Sequence, residues 1–511
     1  MYSTRSDERH QGLFALLVAF AFAFLGAFIL FHHVMWGDEI QAWLLARDSA
    51  DVFELFRNLK YEGHPGLWHL LLMPLTRLWL SPVAMQVLHL GIATASVYVL
   101  ARYAPFKRPQ RALLAFGYFP FYEYSVISRN YGIGLLLIFI FCACFEKRHT
   151  RLIPIAITLA LLSHTSAMGL IVSIVLLCAL VFDFLLQREE LITASGFSYT
   201  KYWLALLFVF LGIALAIYQI KPPADSGFAV SWQFGFSKRA LNKTFMAISG
   251  AYAPIPRIDQ HFWNTQMLVS NRISGIAYWC FLIVFVFLFI KSLVDKPVAL
   301  FVFAGCSLGL LAFFYTKYPG FIRHHGFLFV TLVMTAWIKP YTGRVVPSVM
   351  SRVGSAGYER LLSRLFTLVL GIHVVGAVTA SCLEYRYVFS NAKKVAEYLE
   401  REKLTDNIIV GYMDYSSSSV LGYLKKRQFY YPQSYRYGSF VRWDNIRQPT
   451  MPQQNVFELT LWQREAKNKG VIIILNEPLD RSLPIARNLE LLAEFTGAAV
   501  GGEDYSIYRL R

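Results

Sequence analysis

Residues 32–72 read HHVMWGDEIQAWLLARDSADVFELFRNLKYEGHPGLWHLLL, and the arrangement of the whole chain follows from how this stretch is read. It carries Asp38, Glu39, Asp48, Asp51, Glu54 and Glu62 beside Arg47, Arg57 and Lys60, with four histidines. One charge at the centre of a bilayer costs about 2.5–3.5 kcal/mol, so a segment this charged cannot lie in hydrocarbon. Just before it, residues 12–31 form an apolar run that as a helix would cover roughly 30 Å, about one bilayer core. The stretch is therefore a loop at one membrane face. Its Trp36, Trp43, Tyr61 and Trp68 are of the amphipathic kind that favours the headgroup layer, so a polar site lying on the membrane surface is expected.

Inside the loop, Asp38 and Glu39 follow Trp36-Gly37, and Gln41-Ala42-Trp43 continues as a short amphipathic helix. Two adjacent carboxylates just beyond a membrane helix suit general-base work on a bound hydroxyl. Helix capping is the open alternative, since Asp38 can accept from the backbone N–H groups of residues 40 and 41. Tyr61-Glu62-Gly63-His64-Pro65-Gly66 reads as a turn from its Gly and Pro content, with a new helix from Leu67.

Outward from the loop, composition sets the class. The chain is 56% hydrophobic and only 16% charged, with a positive mean hydropathy, which describes a polytopic membrane protein. The first apolar run has no small-residue cleavage signal, so an anchor is expected rather than a removed leader. The formal charge of +17 is dispersed between apolar spans. That distribution suits basic cytoplasmic loops and anionic membrane lipids, and it argues against nucleic acid, which needs charge gathered on a soluble face. All six cysteines fall in or beside apolar segments, so neither a disulfide framework nor zinc spacing is present in the sequence.

Residues 67–80 contain Pro74 and Arg77 and reach only about 21 Å as helix, so a juxtamembrane or re-entrant helix is expected there. Crossings are then expected at 12–31, 82–103, 112–127, 132–145, 152–163, 168–186, 203–220, 273–290, 297–315, 326–338 and 365–383, eleven in all, with the N-terminus inside and the C-terminus outside. The shorter basic connectors fall on one side, including the loop holding Lys339, Arg344, Arg352, Arg360 and Arg364. This count puts the Asp38 loop, the Ser128–Tyr131 turn, the His164 turn, the 221–270 loop and the Arg323–His325 turn at one boundary, where a lipid phosphate sits.

Residues 385–511 change character. The helical period of 391–401 and the apolar runs 407–411 and 471–475 describe a small α/β domain facing outside, with further elements at 489–493 and 505–510. Its aromatic segment 429–437 offers faces for sugar stacking, with strand-end packing as the alternative. The expected organisation is a transmembrane domain, 1–384, with its working loop at 32–82, and an extracytoplasmic α/β domain, 385–511. The fold class is mainly α, a transmembrane helical bundle with a C-terminal α/β domain.

The motifs Trp36-Gly37-Asp38-Glu39, Gly63-His64-Pro65-Gly66-Leu67-Trp68, Ser128-Arg129-Asn130-Tyr131 and Ser163-His164-Thr165, in this order and on one side, resemble the C-type (GT-C) glycosyltransferases. These are multi-span enzymes using polyprenyl-phosphate sugars. The resemblance is greatest to the branch with protein O-mannosyltransferases, the lipid A aminoarabinose transferase and the Rgt-type galacturonosyltransferases, and it covers about the first 190 residues. Two departures stand out: the family's commoner His-Pro-Pro is His64-Pro65-Gly66, and its usual Arg-Pro-Tyr is Arg129-Asn130-Tyr131. The resemblance implies an inverting transfer of sugar from a polyprenyl-phosphate donor to a glycan, lipid or protein acceptor of the envelope. It implies Asp38 as catalytic carboxylate with Glu39 in support. A leaving phosphate needs cations or donors in place, so Arg129, His64, Tyr131 and His164 are candidates for binding substrate, and Arg323 with His324 and His325 is a second candidate. Interface anchoring remains open for Arg323, and capping or packing for His164. A divalent cation joining Glu62 or His64 to His164 is a further alternative without tight ligand spacing, so no cofactor is assigned. The competing class is a lipid-linked sugar flippase, which calls for charges within spans; the other is a non-catalytic assembly protein.

Overall fold

The first helix, α1 (Arg5–Leu30), ends where the charged loop begins, and the loop itself folds into α2 (Gly37–Asp48), α3 (Val52–Leu59) and α4 (Leu67–Leu78). The computed structural model describes residues 5–193, 197–227, 231–269, 272–343 and 356–511. From the loop the chain passes through α5 (Val83–Tyr103), α6 (Arg108–Ala115), α7 (Tyr131–Phe145), α8 (Leu152–Ser163), α9 (Ala167–Leu186) and α10 (Arg188–Thr193). It continues through α11 (Tyr199–Ile220), α12 (Lys238–Tyr252), α13 (Arg272–Lys291), α14 (Pro297–Thr316), α15 (Ile322–Ile338) and α16 (Ala356–Arg386).

Among the described residues, seven helices are long and apolar enough to cross a membrane: α1, α5, α9, α11, α13, α14 and α16. Three further expected crossings are shorter helices, α7, α8 and α15, of 15, 12 and 17 residues. The run 112–127 differs from expectation, because it is not one helix. α6 stops at Ala115, and Tyr118–Glu123 winds as a separate π-type turn around Pro120, whose missing N–H and ring preclude a continuous helix. Gly117 marks the break, where a Cβ would stand 3.2 Å from the Cβ of His373 on α16. Of the basic residues between α15 and α16, Arg344 and Arg352 lie outside the described residues.

α4 has twelve residues, and both of its ends lie at the end of the bundle that carries the charged loop. The Leu67 N–H donates to the His164 carbonyl (3.3 Å) and the Gly66 N–H to Gln219 Oε1 (3.2 Å). α5 starts just after α4, and Gln86 on its second turn donates to the carbonyls of Leu30 and His33 at 3.2 Å each. α2 departs from the expected amphipathic helix, because all its residues except Asp38 and Asp48 are buried, with α4 and α18 of the α/β domain packed against it. For the same reason Trp43, Tyr61 and Trp68 are core residues rather than headgroup anchors, whereas Phe53 is exposed.

After α16 come α17 (Ala392–Arg401), β1 (Ile408–Gly411), α18 (Asp414–Tyr423), β2 (Phe429–Tyr431), β3 (Arg436–Gly438), α19 (Gln453–Lys467), β4 (Val471–Leu475), β5 (Leu489–Phe495) and β6 (Tyr505–Leu510). The strands form one mixed sheet in the order β3-β2-β1-β4-β6-β5, with β1 parallel to both β2 and β4 and the other pairs antiparallel. Alternation along β1 and β4 sends Ile409, Ile472 and Ile474 to the face covered by α17 and α18, and Ile408, Val471 and Ile473 to the face under α19. The 384/385 boundary falls in the last turn of α16, and Glu384 there belongs to the membrane part by its hydrogen bonds to His33 and Tyr122.

Candidate active site

The site is built around the first turn of α2. Trp36 is its N-cap, and Glu39 reaches back to the Trp36 N–H at 3.3 Å. Capping therefore falls to Glu39 and leaves the Asp38 carboxylate free to face outward, with 39% of its side chain exposed. Two buried guanidiniums meet it. Arg323, from the first turn of α15, donates through Nη2 to Asp38 Oδ2 at 3.1 Å. Arg129 places Nη2 3.7 Å from the same oxygen, and its Nη1 donates to the Asp38 backbone carbonyl. Nε of each arginine is buried without an acceptor among the described residues. Trp36, Trp263 and Phe321 surround the Arg323 guanidinium with ring centroids 4.8–5.6 Å away, a cation–π setting that holds it in place.

Glu39, expected to support Asp38, does not share this exposure. It is 0% exposed and accepts from the Ser128 N–H (2.6 Å) and from His33 Nε2 (2.9 Å). No acceptor hydroxyl can reach it there. Its bond to Ser128 instead ties α2 to the turn that carries Arg129. The same turn is held from α5, where His89 has ring nitrogens 3.1 and 2.8 Å from the carbonyls of Ser125 and Arg129. His33 also lies 2.9 Å from Glu384 on α16. Burial alone would lower the His33 pKa, but Glu39 and Glu384 outweigh it and raise the group to about 10, so the ring stays charged.

Tyr131 and His324 are brought together, with Tyr131 Oη 2.9 Å from His324 Nε2. His324 Nδ1 accepts from the Phe321 N–H at 2.9 Å, so the proton of the neutral ring sits on Nε2 and is donated to Tyr131. The phenol's own proton is left for another acceptor. His64 lies in the field of Arg129, Asp38 and Arg323; burial chiefly, then Arg129, lowers its pKa to about 4, so it acts as a neutral imidazole. Glu62, weighed in the sequence only as a cation ligand, also lies in the field of Arg129 and Asp38. Burial pushes its carboxyl up to about 7, the Gln41 amide (2.8 Å) and Arg129 pull it back, and Asp38 opposes them. His164 is engaged elsewhere: it ends α8, its carbonyl receives the Leu67 N–H, and its Nδ1 is 3.4 Å from Gln219 Oε1. Packing accounts for it. Among the described residues, no three His, Cys, Asp or Glu side chains are grouped to hold a metal ion.

In the α/β domain the aromatic segment is mainly core: Phe429, Tyr430 and Tyr431 are buried, Tyr437 lies against Tyr430, and Tyr435 alone of the five is exposed. The domain reaches the site by another route. Gln41 on α2 exchanges two hydrogen bonds with the backbone of Val441 (2.7 and 2.9 Å), Tyr423 and Glu503 bond the backbone of Met35 and Gly37, and Arg442 stacks on Tyr61. No sequence signal marks His33, Gln41 or Glu503, since each acts through a partner distant in the chain or through backbone.

No protein-family model and no curated protein matches the sequence. Among solved structures, the chain is similar to the crystal structure of ArnT from Cupriavidus metallidurans bound to undecaprenyl phosphate, at 12% identity over 97% of each chain, with a TM-score of 0.48.

Proposed function

We propose that the chain is an integral membrane glycosyltransferase that moves a sugar from a polyprenyl-phosphate donor to a hydroxyl of an envelope glycan, lipid or protein on the extracytoplasmic face, with inversion at C1. The observation that carries this reading is the exposed Asp38 carboxylate set between two buried guanidiniums, each with an unpaired Nε, at the end of a bundle of membrane-length helices. The arginines pair with Asp38. A donor phosphate competes for them through the fork geometry that suits guanidinium and phosphate, and frees the carboxylate to act as base. Asp38 then takes the acceptor proton as its oxygen attacks C1. The C1–O bond breaks, the phosphate leaves with the electron pair, and Arg129 and Arg323 hold the charge that develops on it. Tyr131, backed by His324, and the neutral His64 supply further donors beside that phosphate. Glu39 orients the loop, and Glu62 stands next to the base as a second carboxyl.

The test is transfer from undecaprenyl-phosphate donors carrying radiolabelled mannose, galacturonic acid or aminoarabinose to envelope membranes of a deletion strain. Asp38→Asn keeps shape but cannot accept the proton, so transfer is expected to fall at least about a hundredfold while donor binding survives. Asp38→Glu is expected to be poor as well, since a displacement of about 1 Å can cost a hundredfold. Normal transfer by Asp38→Asn refutes the base assignment. Transport of the lipid without any transfer by the wild type replaces the enzyme reading with the flippase one.

A further inference from the structure

We infer that the α/β domain is a working part of this site, with Glu503 a positioning residue that fixes the first turn of α2, and so Asp38, through the backbone N–H of Gly37; the catalytic half of this inference rests on the function proposed above. The first N–H groups of a helix have no partner within it and must be satisfied from outside. In the approach to Asp38, the Met35 N–H donates to Tyr423 Oη at 2.9 Å, the Trp36 N–H to Glu39 at 3.3 Å, and the Gly37 N–H to Glu503 Oε1 at 3.0 Å. Two of these three consecutive donors end on side chains of the α/β domain.

Glu503 is held as firmly as it holds. Oε1 also accepts from Ser419 Oγ (3.0 Å), and Oε2 accepts from Ser390 Oγ (2.7 Å) and Tyr505 Oη (2.5 Å). The carboxylate is buried, its four donors come from α2, α18, β6 and the link after α16, and it stands at the positive end of the α2 dipole. The approach of the two parts is too close for a side chain at position 37, since a Cβ on Gly37 would lie 2.8 Å from the Tyr415 carbonyl oxygen. One turn along α2, Gln41 repeats the tie by its two bonds to Val441. Asp38 lies between these ties, so the domain sets where the base stands relative to Arg129 and Arg323.

The experiment uses the full chain in nanodiscs, with the donors and acceptor membranes named above, undecaprenyl phosphate as binding probe, and amide exchange read by mass spectrometry. In Glu503→Ala, kcat is expected to fall at least tenfold with the donor KM within twofold. Exchange over residues 35–41 should rise while β1 and β4 stay protected. Glu503→Gln retains an oxygen for the Gly37 N–H and should recover most of kcat, whereas Gly37→Ala, which strikes the contact from its other side, should resemble Glu503→Ala. Unchanged kcat and exchange in Glu503→Ala overturn the inference. Loss of protection throughout β1 and β4 overturns it too, because the effect is then on domain folding. Should the wild type transfer no sugar while Glu503→Ala still loosens 35–41, the clamp stands and the proposed function fails.

Discussion

Arg129 and Arg323 face the same carboxylate with different demands on their shape. Arg129 uses one nitrogen for the Asp38 backbone carbonyl and another toward its carboxylate, a division that a lysine point charge cannot reproduce. Arg129→Lys is therefore expected to lower turnover at least about tenfold, and a wild-type rate at saturating donor removes Arg129 from the site. Glu39 answers to stability instead. Glu39→Gln leaves His33 facing an amide in a dry setting, and breaking a buried pair from one side costs about 3–5 kcal/mol, so a lower unfolding midpoint is expected. A midpoint equal to wild type excludes that role. Asp38, Arg129 and Arg323 were legible because a charge stands out in an apolar chain. His33 and Glu503 were not, because their meaning lies in partners as far apart as 466 residues.

His33 joins three elements, since its ring binds Glu39 at the start of α2 and Glu384 near the end of α16 just after α1 has ended. Its folded value of about 10 lies above the ordinary 6.5, so the stability it contributes is fully present below about pH 6.5 and is lost as pH rises through about 10. The unfolding midpoint in detergent should decline across that window, and His33→Gln should flatten the decline; equal slopes in both proteins discard the account. A second joint lies where α15 meets the π-type turn. A Cβ at Gly326 would stand 2.4 Å from Tyr124 Oη and 2.5 Å from the ring of Phe119, so Gly326→Ala should destabilise the protein by about 1–3 kcal/mol, again read from the unfolding midpoint. Long apolar runs and the all-buried strands β1 and β4 could be read from sequence because their period is local. The break within 112–127 could not, because apolar composition hid what Pro120 does to a helix. The burial of α2 could not either, because its cover comes from α18.

The α/β domain lies against the end of the helical bundle that carries the Asp38 loop. The orientation proposed for the chain places a reporter fused after Arg511 outside and one at Lys107 inside. Activity of the Arg511 fusion only in the cytoplasm refutes the orientation. The contact of the domain with the loop is not legible in the sequence, since no local pattern encodes an encounter between residues 37 and 503. That encounter has a consequence in time. At about 5–20 residues per second of synthesis, the 466 residues between Gly37 and Glu503 occupy the ribosome for roughly 23–93 seconds. Throughout that interval Glu39 can already cap the Trp36 N–H, but the Gly37 N–H waits for Glu503. A chain stalled before Glu503 already has every membrane helix yet lacks the acceptor for the Gly37 N–H, so the start of α2 finds that partner only when synthesis is nearly complete.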